Sequence, residues 1–247
     1  MPTPPKCIYA SEVADAVQAE AFLKAIEDGD VQAVLNSKRR KAEQLNISDK
    51  FGYSSVHKAV NCSRDKDCSM LKYLIDSSAH VEFADRDGAR PIAFAIRQAN
   101  QVAVEALLAL QDIRGGRVVD LHQVIDASGH TLLHEAAWYD RTDAARSLLA
   151  TGAFKPEDLA ATNNMGQTVV HVASIRASPE FLQLLVDNGA DVNAPCTTNG
   201  RFVTQSPDDM ARLMGKEENA KLLKSLQTTM DAVKFASKMK KKASAAS

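Results

Sequence analysis

The feature that most constrains this chain is a short segment that recurs four times and opens on a glycine. The four glycines are Gly52, Gly88, Gly129 and Gly166, which lie 36, 41 and 37 residues apart. Five residues after them come His57, Ala93, His134 and His171. A repeat of this length is one supersecondary unit that cannot bury its apolar face alone. The chain is therefore predicted to be a stack of similar units.

Each step of the recurring segment has a physical reason. Glycine permits the positive φ of a turn that projects ahead of a helix. Ser54, Thr131 and Thr168 follow two residues later, where a hydroxyl can cap the orphan N–H groups of the helix. Pro91 falls in a first helical turn, where its missing donor costs nothing. The segment is thus predicted to be a turn followed by a helix.

These segments resemble the ankyrin repeat, whose first helix opens with the pattern G-x-T-P-L-H-x-A. Residues 129–136 are GHTLLHEA, and residues 166–173 are GQTVVHVA. The resemblance implies an all-α ankyrin-repeat solenoid of about six stacked helix pairs over residues 16–226, with capping repeats at both ends. Residues 1–15 are expected to form an extended lead, and residues 227–247 a Lys-rich tail that passes from helix to disorder. Extra residues are expected at 63–67, 112–125 and 154–162.

Composition excludes several classes of protein. The formal net charge is −1, which argues against a dedicated nucleic-acid binder. The four cysteines are scattered without CxxC pairing, which indicates reduced thiols and a cytoplasmic location. No apolar run approaches the roughly 18 residues that cross a membrane, and the proline-rich start lacks the apolar core of a secretory signal.

No pattern for catalysis, a metal or a cofactor is found. His57, His134 and His171 share one repeat position, and the resemblance implies that this imidazole bridges backbone groups of neighbouring repeats. Cys62 and Cys68 lack a second ligand pair for zinc. The chain is predicted to be non-enzymatic, with no metal and no cofactor.

The resemblance further implies a protein-binding module or scaffold, alone or as a fixed subunit of a larger assembly. Family members bind partner proteins on a concave surface made of turn tips and first helices. The positions that match this surface are Lys58, Arg86, Asp87, Phe94, Arg97, Gln98, Glu135, Trp138, Tyr139, Ile175 and Arg176. Trp, Tyr and Arg dominate interface energetics, so Trp138 and Tyr139 are expected to contribute most. The opposing hypothesis is that Trp138 packs against the next repeat.

A second function remains open for the C-terminal end. Five lysines lie between 234 and 242, against Asp231 as the one acidic residue from Met230 onward. Such a tail is typical of a solvated terminus, but it also fits an acidic protein surface, an anionic lipid face or nucleic acid. The alternative to a protein-binding module is therefore a peripheral membrane- or cytoskeleton-associated protein attached by this tail.

Overall fold

The computed structural model describes residues 7–13, 15–37, 45–62, 68–111, 116, 118–196 and 206–245, the last fourteen of these as backbone only. The chain divides into two units, Met1–Glu135 and Ala136–Ser247, and the division falls within one helix. The fold is mainly helical, as predicted, with its helices in pairs.

The first unit begins with a two-residue strand pair. Strands β1 (Ile8–Tyr9) and β2 (Ile47–Ser48) are parallel, with Ile8 opposite Ile47. The helices of this unit are α1 (Ala16–Asp28), α2 (Val31–Asn36), α3 (Ser55–Val60), α4 (Ser69–Asp76), α5 (Pro91–Arg97) and α6 (Gln101–Leu108). Helix α7 (Leu132–Trp138) carries the division between the units.

The second unit continues the pairs. Its helices are α8 (Thr142–Ala150), α9 (Pro156–Leu159), α10 (Val169–Arg176), α11 (Pro179–Asp187), α12 (Pro207–Leu213) and α13 (Glu217–Ala245). Polar side chains begin several of these helices: Ser178 accepts from the Phe181 N–H, and Ser206 accepts from the Asp209 N–H. Such caps satisfy N–H groups that the helix itself leaves without partners.

Packing within each unit follows the logic of a stack. In the first unit, α3 packs on α1 before it and on α5 after it, and each also packs on the second helix of its own pair. In the second unit, α10 packs on α11 and α12, and α11 packs on α8 and α13. First helices therefore contact first helices in both units, and in the second unit second helices contact second helices. The buried side chains between them, such as Ile92, Leu107 and Leu185, form a core that runs through each unit.

Several details differ from the sequence expectation. The N-terminal lead holds β1 and a 3₁₀ turn at Ala10–Glu12, while residues 1–6 lie outside the described residues. The insertion at 154–162 forms helix α9. The insertion at 112–125 is described from residue 118 onward, where Val119, Leu121 and Ile125 are buried. The extra residues at 63–67 lie outside the described part of the chain.

The last helix extends through the tail as backbone to Ala245. The side chains of the five tail lysines lie outside the described residues, so the tail hypothesis stays a prediction. Across the described ranges, none of the helices combines the length and the apolar content that a bilayer crossing needs.

Candidate functional site

The projecting turns are held by one repeated side chain that sequence reasoning missed. Three residues before each turn glycine stands Asp49, Asp85, Asp126 or Asn163. The Oδ1 atom of each accepts two backbone N–H groups, two and four residues further on, at 2.8–3.0 Å. Asp and Asn are favoured in turns for this reason. The constant spacing of three residues before the glycine was the signal that could have revealed this role.

Neighbouring turns in the first unit also contact each other. The Arg86 N–H donates to the Phe51 carbonyl oxygen at 3.3 Å. Gly52, with φ of +87°, lies so close that a Cβ atom there would be 2.9 Å from the Arg86 nitrogen. Glycine is therefore required at this position for two reasons, its backbone conformation and the close approach of the next repeat.

The repeat histidines cap their own helices, and His57 also reaches the next repeat. The Nδ1 atom of His57 accepts the Ser54 N–H at 3.1 Å, while the Ser54 hydroxyl accepts the His57 N–H at 3.4 Å. This is a capping box with histidine in place of Glu or Gln. Nε2 then donates to the Ala89 carbonyl oxygen at 3.1 Å. Nδ1 of His134 and of His171 lies 2.9 and 2.8 Å from the hydroxyl of the preceding threonine.

Burial decides the protonation of His57. It lowers the pKa of the imidazole to about 4, although the Ala89 carbonyl and the carboxylates of Asp85 and Asp49 act in the opposite direction. The ring is therefore neutral at physiological pH, which is the form that donates from Nε2 and accepts at Nδ1. The arrangement is a structural bridge rather than a proton shuttle.

In the first unit, the predicted binding residue Lys58 is occupied by contacts within the chain. Its Nζ lies 2.9 Å from Asp49 Oδ2 and 3.5 Å from Glu27 Oε2. Phe94 is also half-buried, with its ring edge-on to Tyr53 at 5.0 Å and to His57 at 5.2 Å between centroids. Both side chains thus stabilise the first helices as well as forming part of their surface.

Arg97 and Glu135, two further predicted binding residues, form an ion pair. The Arg97 Nε donates to Glu135 Oε1, and the side chains are 25% and 4% exposed. The guanidinium also lies 5.7 Å from the centre of the Phe94 ring. The sequence analysis placed Arg97 among the residues that contact a partner. Instead its charge is matched inside the chain, because the repeat places a carboxylate 38 residues further on beside it.

The remaining predicted residues of the first unit are exposed. Arg86 and Asp87 lie at a turn tip, with the Arg86 guanidinium 5.6 Å from the centre of the Tyr9 ring. Gln98 follows the last residue of α5. A partner can contact these three exposed side chains without any change in the packing of the buried core.

In the second unit, Trp138 and Arg176 come together. The Arg176 guanidinium lies 4.0 Å from the centre of the Trp138 ring, which is the geometry of a cation–π pair. Trp138 and Ile175 are half-buried, whereas Tyr139 and Arg176 are exposed. Val172, on the same helix as Ile175 and Arg176, is fully buried and cannot contribute.

One cluster in the first unit has the composition of a metal site. Ligand atoms of Asp126, His130 and Glu135 lie within 4.8 Å of one another. However, His130 Nδ1 lies 2.8 Å from Asp126 Oδ2, and Arg97 binds Glu135. A guanidinium on one proposed ligand opposes a second cation. The cluster therefore stabilises the turn and the ion pair.

Two cavities open beside the predicted residues, one in each unit. The first, of about 300 Å³, is bounded by Leu23, Phe51 and Lys58 among others. The second, of about 360 Å³, is bounded by Arg176, Asp140 and Lys216 among others. Turn-tip residues thus border concave surface in the first unit, and the end of a first helix borders it in the second.

Comparison with known proteins agrees with this geometry. Residues 116–196 match the family model described as ankyrin repeats, in three copies. The chain is 29% identical over 164 residues to the human B-cell lymphoma 3 protein, covering 54% of this chain and 36% of that protein. It is 25% identical over 189 residues to the E3 ubiquitin-protein ligase KEG of Arabidopsis thaliana, covering 71% of this chain and 11% of that one. The chain thus spans about a third or less of these relatives.

Two solved structures share the fold. One comes from the complex of a predatory endopeptidase of Bdellovibrio bacteriovorus with an immunity protein, with a TM-score of 0.65 and 22% identity over 83% of this chain and 97% of that one. The other is the ankyrin repeat protein EF0377, with a TM-score of 0.66 and 22% identity over 83% of this chain and 96% of that one. At this identity the likeness concerns the fold alone.

Proposed function

This chain is an ankyrin-repeat protein, and we propose that it is a non-enzymatic scaffold that binds a partner protein through its turn tips and first helices. Ankyrin repeats generally mediate protein binding. The observation that supports this function most is that all eight turn-tip residues are exposed, while the Asp or Asn side chain behind each tip holds the turn. The tip residues are Lys50, Phe51, Arg86, Asp87, Ala127, Ser128, Asn164 and Met165.

The rigidity of the surface supports the same function. Ion pairs and ring contacts fix Lys58, Phe94 and Arg97 in the first unit, and stacking fixes Trp138 against Arg176 in the second. Side chains that are already ordered lose less conformational entropy when a partner binds. A pre-ordered surface with exposed tips is what a binding scaffold requires.

The proposal also includes the class of the partner and the compartment in which the chain works. The partner is a protein, in a cytoplasmic and reducing compartment, which fits the four free thiols at Cys7, Cys62, Cys68 and Cys196. The solved complex of an endopeptidase with an immunity protein contains a chain with this fold, although the two chains share too little sequence to transfer a partner.

Site-specific photocrosslinking in cells tests the proposal. A benzophenone amino acid is placed at Gln98, at the end of a first helix, and in a matched protein at Glu105, which is exposed on the second helix of the same pair. The expected result is a discrete protein adduct from position 98 and from turn-tip position 86, with little from position 105. Adducts that form only from position 105 would contradict a binding surface made of turns and first helices.

A further inference from the structure

The first helices of the last three pairs end on matching side chains. Thr131, Thr168 and Ser206 directly precede helices α7, α10 and α12. The residues that follow them by seven and by eight positions are equivalent from one repeat to the next. They hold Trp138 and Tyr139, Ile175 and Arg176, and Leu213 and Met214. All six belong to the second unit, and α10 packs directly on α12. We call these six residues the terminal row.

The terminal row is apolar although solvent reaches it. Leu213 is 70% exposed, Met214 65% and Tyr139 41%. In the first unit, the same two positions hold Asn61 with Cys62, and Arg97 with Gln98, of which only the cysteine is apolar and it is buried. The fold therefore does not require apolar residues here. Exposed apolar clusters of this kind mark binding surfaces.

Arg176 supplies a charge in the middle of this apolar row. Several other arginines are paired with carboxylates, such as Arg97 with Glu135, and Arg212 with Asp208 at 3.0 Å. Within the described ranges, no carboxylate lies within 4.0 Å of the Arg176 guanidinium, which is held against Trp138 instead. Stacking on the indole covers one face of the guanidinium, while its N–H groups, which lie in the plane of the guanidinium, stay able to donate hydrogen bonds. An acidic group is the complement of this position.

Arg176 also lies close to the residues that follow the last member of the terminal row. It lines the cavity of about 360 Å³ together with Gly215 and Lys216, the residues that directly follow Met214. Within the terminal row itself Arg176 is the one charged residue, with Trp138 at an equivalent position in the repeat before it and Leu213 and Met214 in the repeat after it.

We propose that the terminal row binds a polypeptide segment of the partner in which an acidic side chain lies between apolar ones. This rests on the proposed function and adds the location and chemistry of the contact. Packed helices lie about 10 Å apart, and an extended chain advances about 3.3 Å per residue. The complementary segment therefore carries apolar side chains about six residues apart, with Asp or Glu about midway, opposite Arg176.

Selection from a displayed library of random 12-residue peptides tests the chemistry. The full chain and its Arg176→Glu variant are used in parallel as targets. Peptides selected by the unaltered chain are expected to share an acidic residue between apolar ones, and those selected by Arg176→Glu to carry Lys or Arg there instead. If both targets select the same peptides, or if neither enriches any above the bare support, the inference is wrong.

Affinity measurements with one selected peptide test the location. Arg176→Glu and Leu213→Ser are expected to weaken binding at least tenfold with unchanged melting temperatures. The matched controls are Lys224→Glu, an exposed charge on α13, and Val102→Ser, an exposed apolar residue on α6; both should stay within twofold. If binding responds instead to substitutions at Lys50 or Gln98, the terminal row is refuted while the proposed function stands. A further outcome is that no peptide is selected, while the chain binds phosphatidylserine vesicles and Leu213→Ser abolishes that binding. The terminal row would then contact a membrane, and the proposal of a peptide ligand would be wrong.

Discussion

Replacing His57 by Gln should remove a measurable part of the pH dependence of stability. Burial lowers the pKa of His57 to about 4 in the folded chain, against 6.5 when unfolded. Above pH 6.5 the ring is neutral in both states, so its hydrogen bonds to Ser54 and Ala89 contribute in full. Between pH 6.5 and 4 the unfolded chain binds a proton that the folded chain does not. A shift of this size corresponds to about 3 kcal/mol of folding stability, lost as the pH falls through this range.

The measurement is the free energy of unfolding in urea, followed by circular dichroism between pH 7.5 and 4.5. At pH 7.5, His57→Gln should be about 1–3 kcal/mol less stable than the unaltered chain, because buried hydrogen bonds are lost. Since glutamine does not titrate, this difference should shrink by about 2 kcal/mol or more by pH 4.5. The exposed His122 serves as the matched control through His122→Gln. A difference for His57→Gln that stays constant within about 0.5 kcal/mol would refute the neutral, buried imidazole.

Further outcomes are expected from other contacts. Arg97→Ala leaves the carboxylate of Glu135 buried without its partner, so it should lower the free energy of unfolding in urea by about 3 kcal/mol. Arg146→Ala, in an ion pair whose arginine is 54% exposed, should lower it by less than about 1 kcal/mol. Equal losses would contradict the buried pair. Gly52 has a φ of +87°, and a Cβ atom there would lie 2.9 Å from a backbone nitrogen, so Gly52→Ala should destabilise the folded chain by about 2 kcal/mol or more. Gly215→Ala, whose Cβ would meet nothing within 4 Å, should destabilise it by clearly less. Far-ultraviolet circular dichroism should show a predominantly helical chain, and a β-rich spectrum would overturn the fold. If the tail attaches to lipid, removal of residues 234–247 should abolish sedimentation with anionic vesicles at low salt; no sedimentation of the full chain would exclude that alternative.

The repeat pattern allowed the fold to be predicted because it combines glycine, hydroxyl and histidine at fixed spacing. Each of these residues makes contacts with its neighbours in sequence, from which a turn and a helix can be inferred, although Gly52 and His57 also contact the next repeat. The helix after Thr168 and the turn before it are examples, since both depend on contacts within five residues. Helix α9 escaped prediction because four residues, 156–159, are too short to show a helical period.

The candidate site was less predictable because its contacts join distant residues. Arg97 meets Glu135, 38 residues away, and Arg176 stacks on Trp138 by the same kind of repeat-to-repeat contact. Repeat position alone placed these residues on one surface but did not show which charge was already matched. Leu213 and Met214 were missed since the last repeat departs from the glycine pattern that aligned the others. Counting from Ser206, the residue that begins α12, would have found them.

The carboxylate- or amide-held turn is closed without the side chains at its tip. In each of the four turns, both tip residues are exposed. The second of them donates a backbone N–H to the carboxylate or amide oxygen, as Phe51 and Met165 do. Their side chains can consequently change over evolution, or be randomised in the laboratory, without loss of the hydrogen bonds that close the turn. The exception is proline at the second tip position, which has no N–H to donate. New specificities in this chain are thus open to nineteen residue types at positions such as Phe51 and Met165, with the scaffold left unchanged.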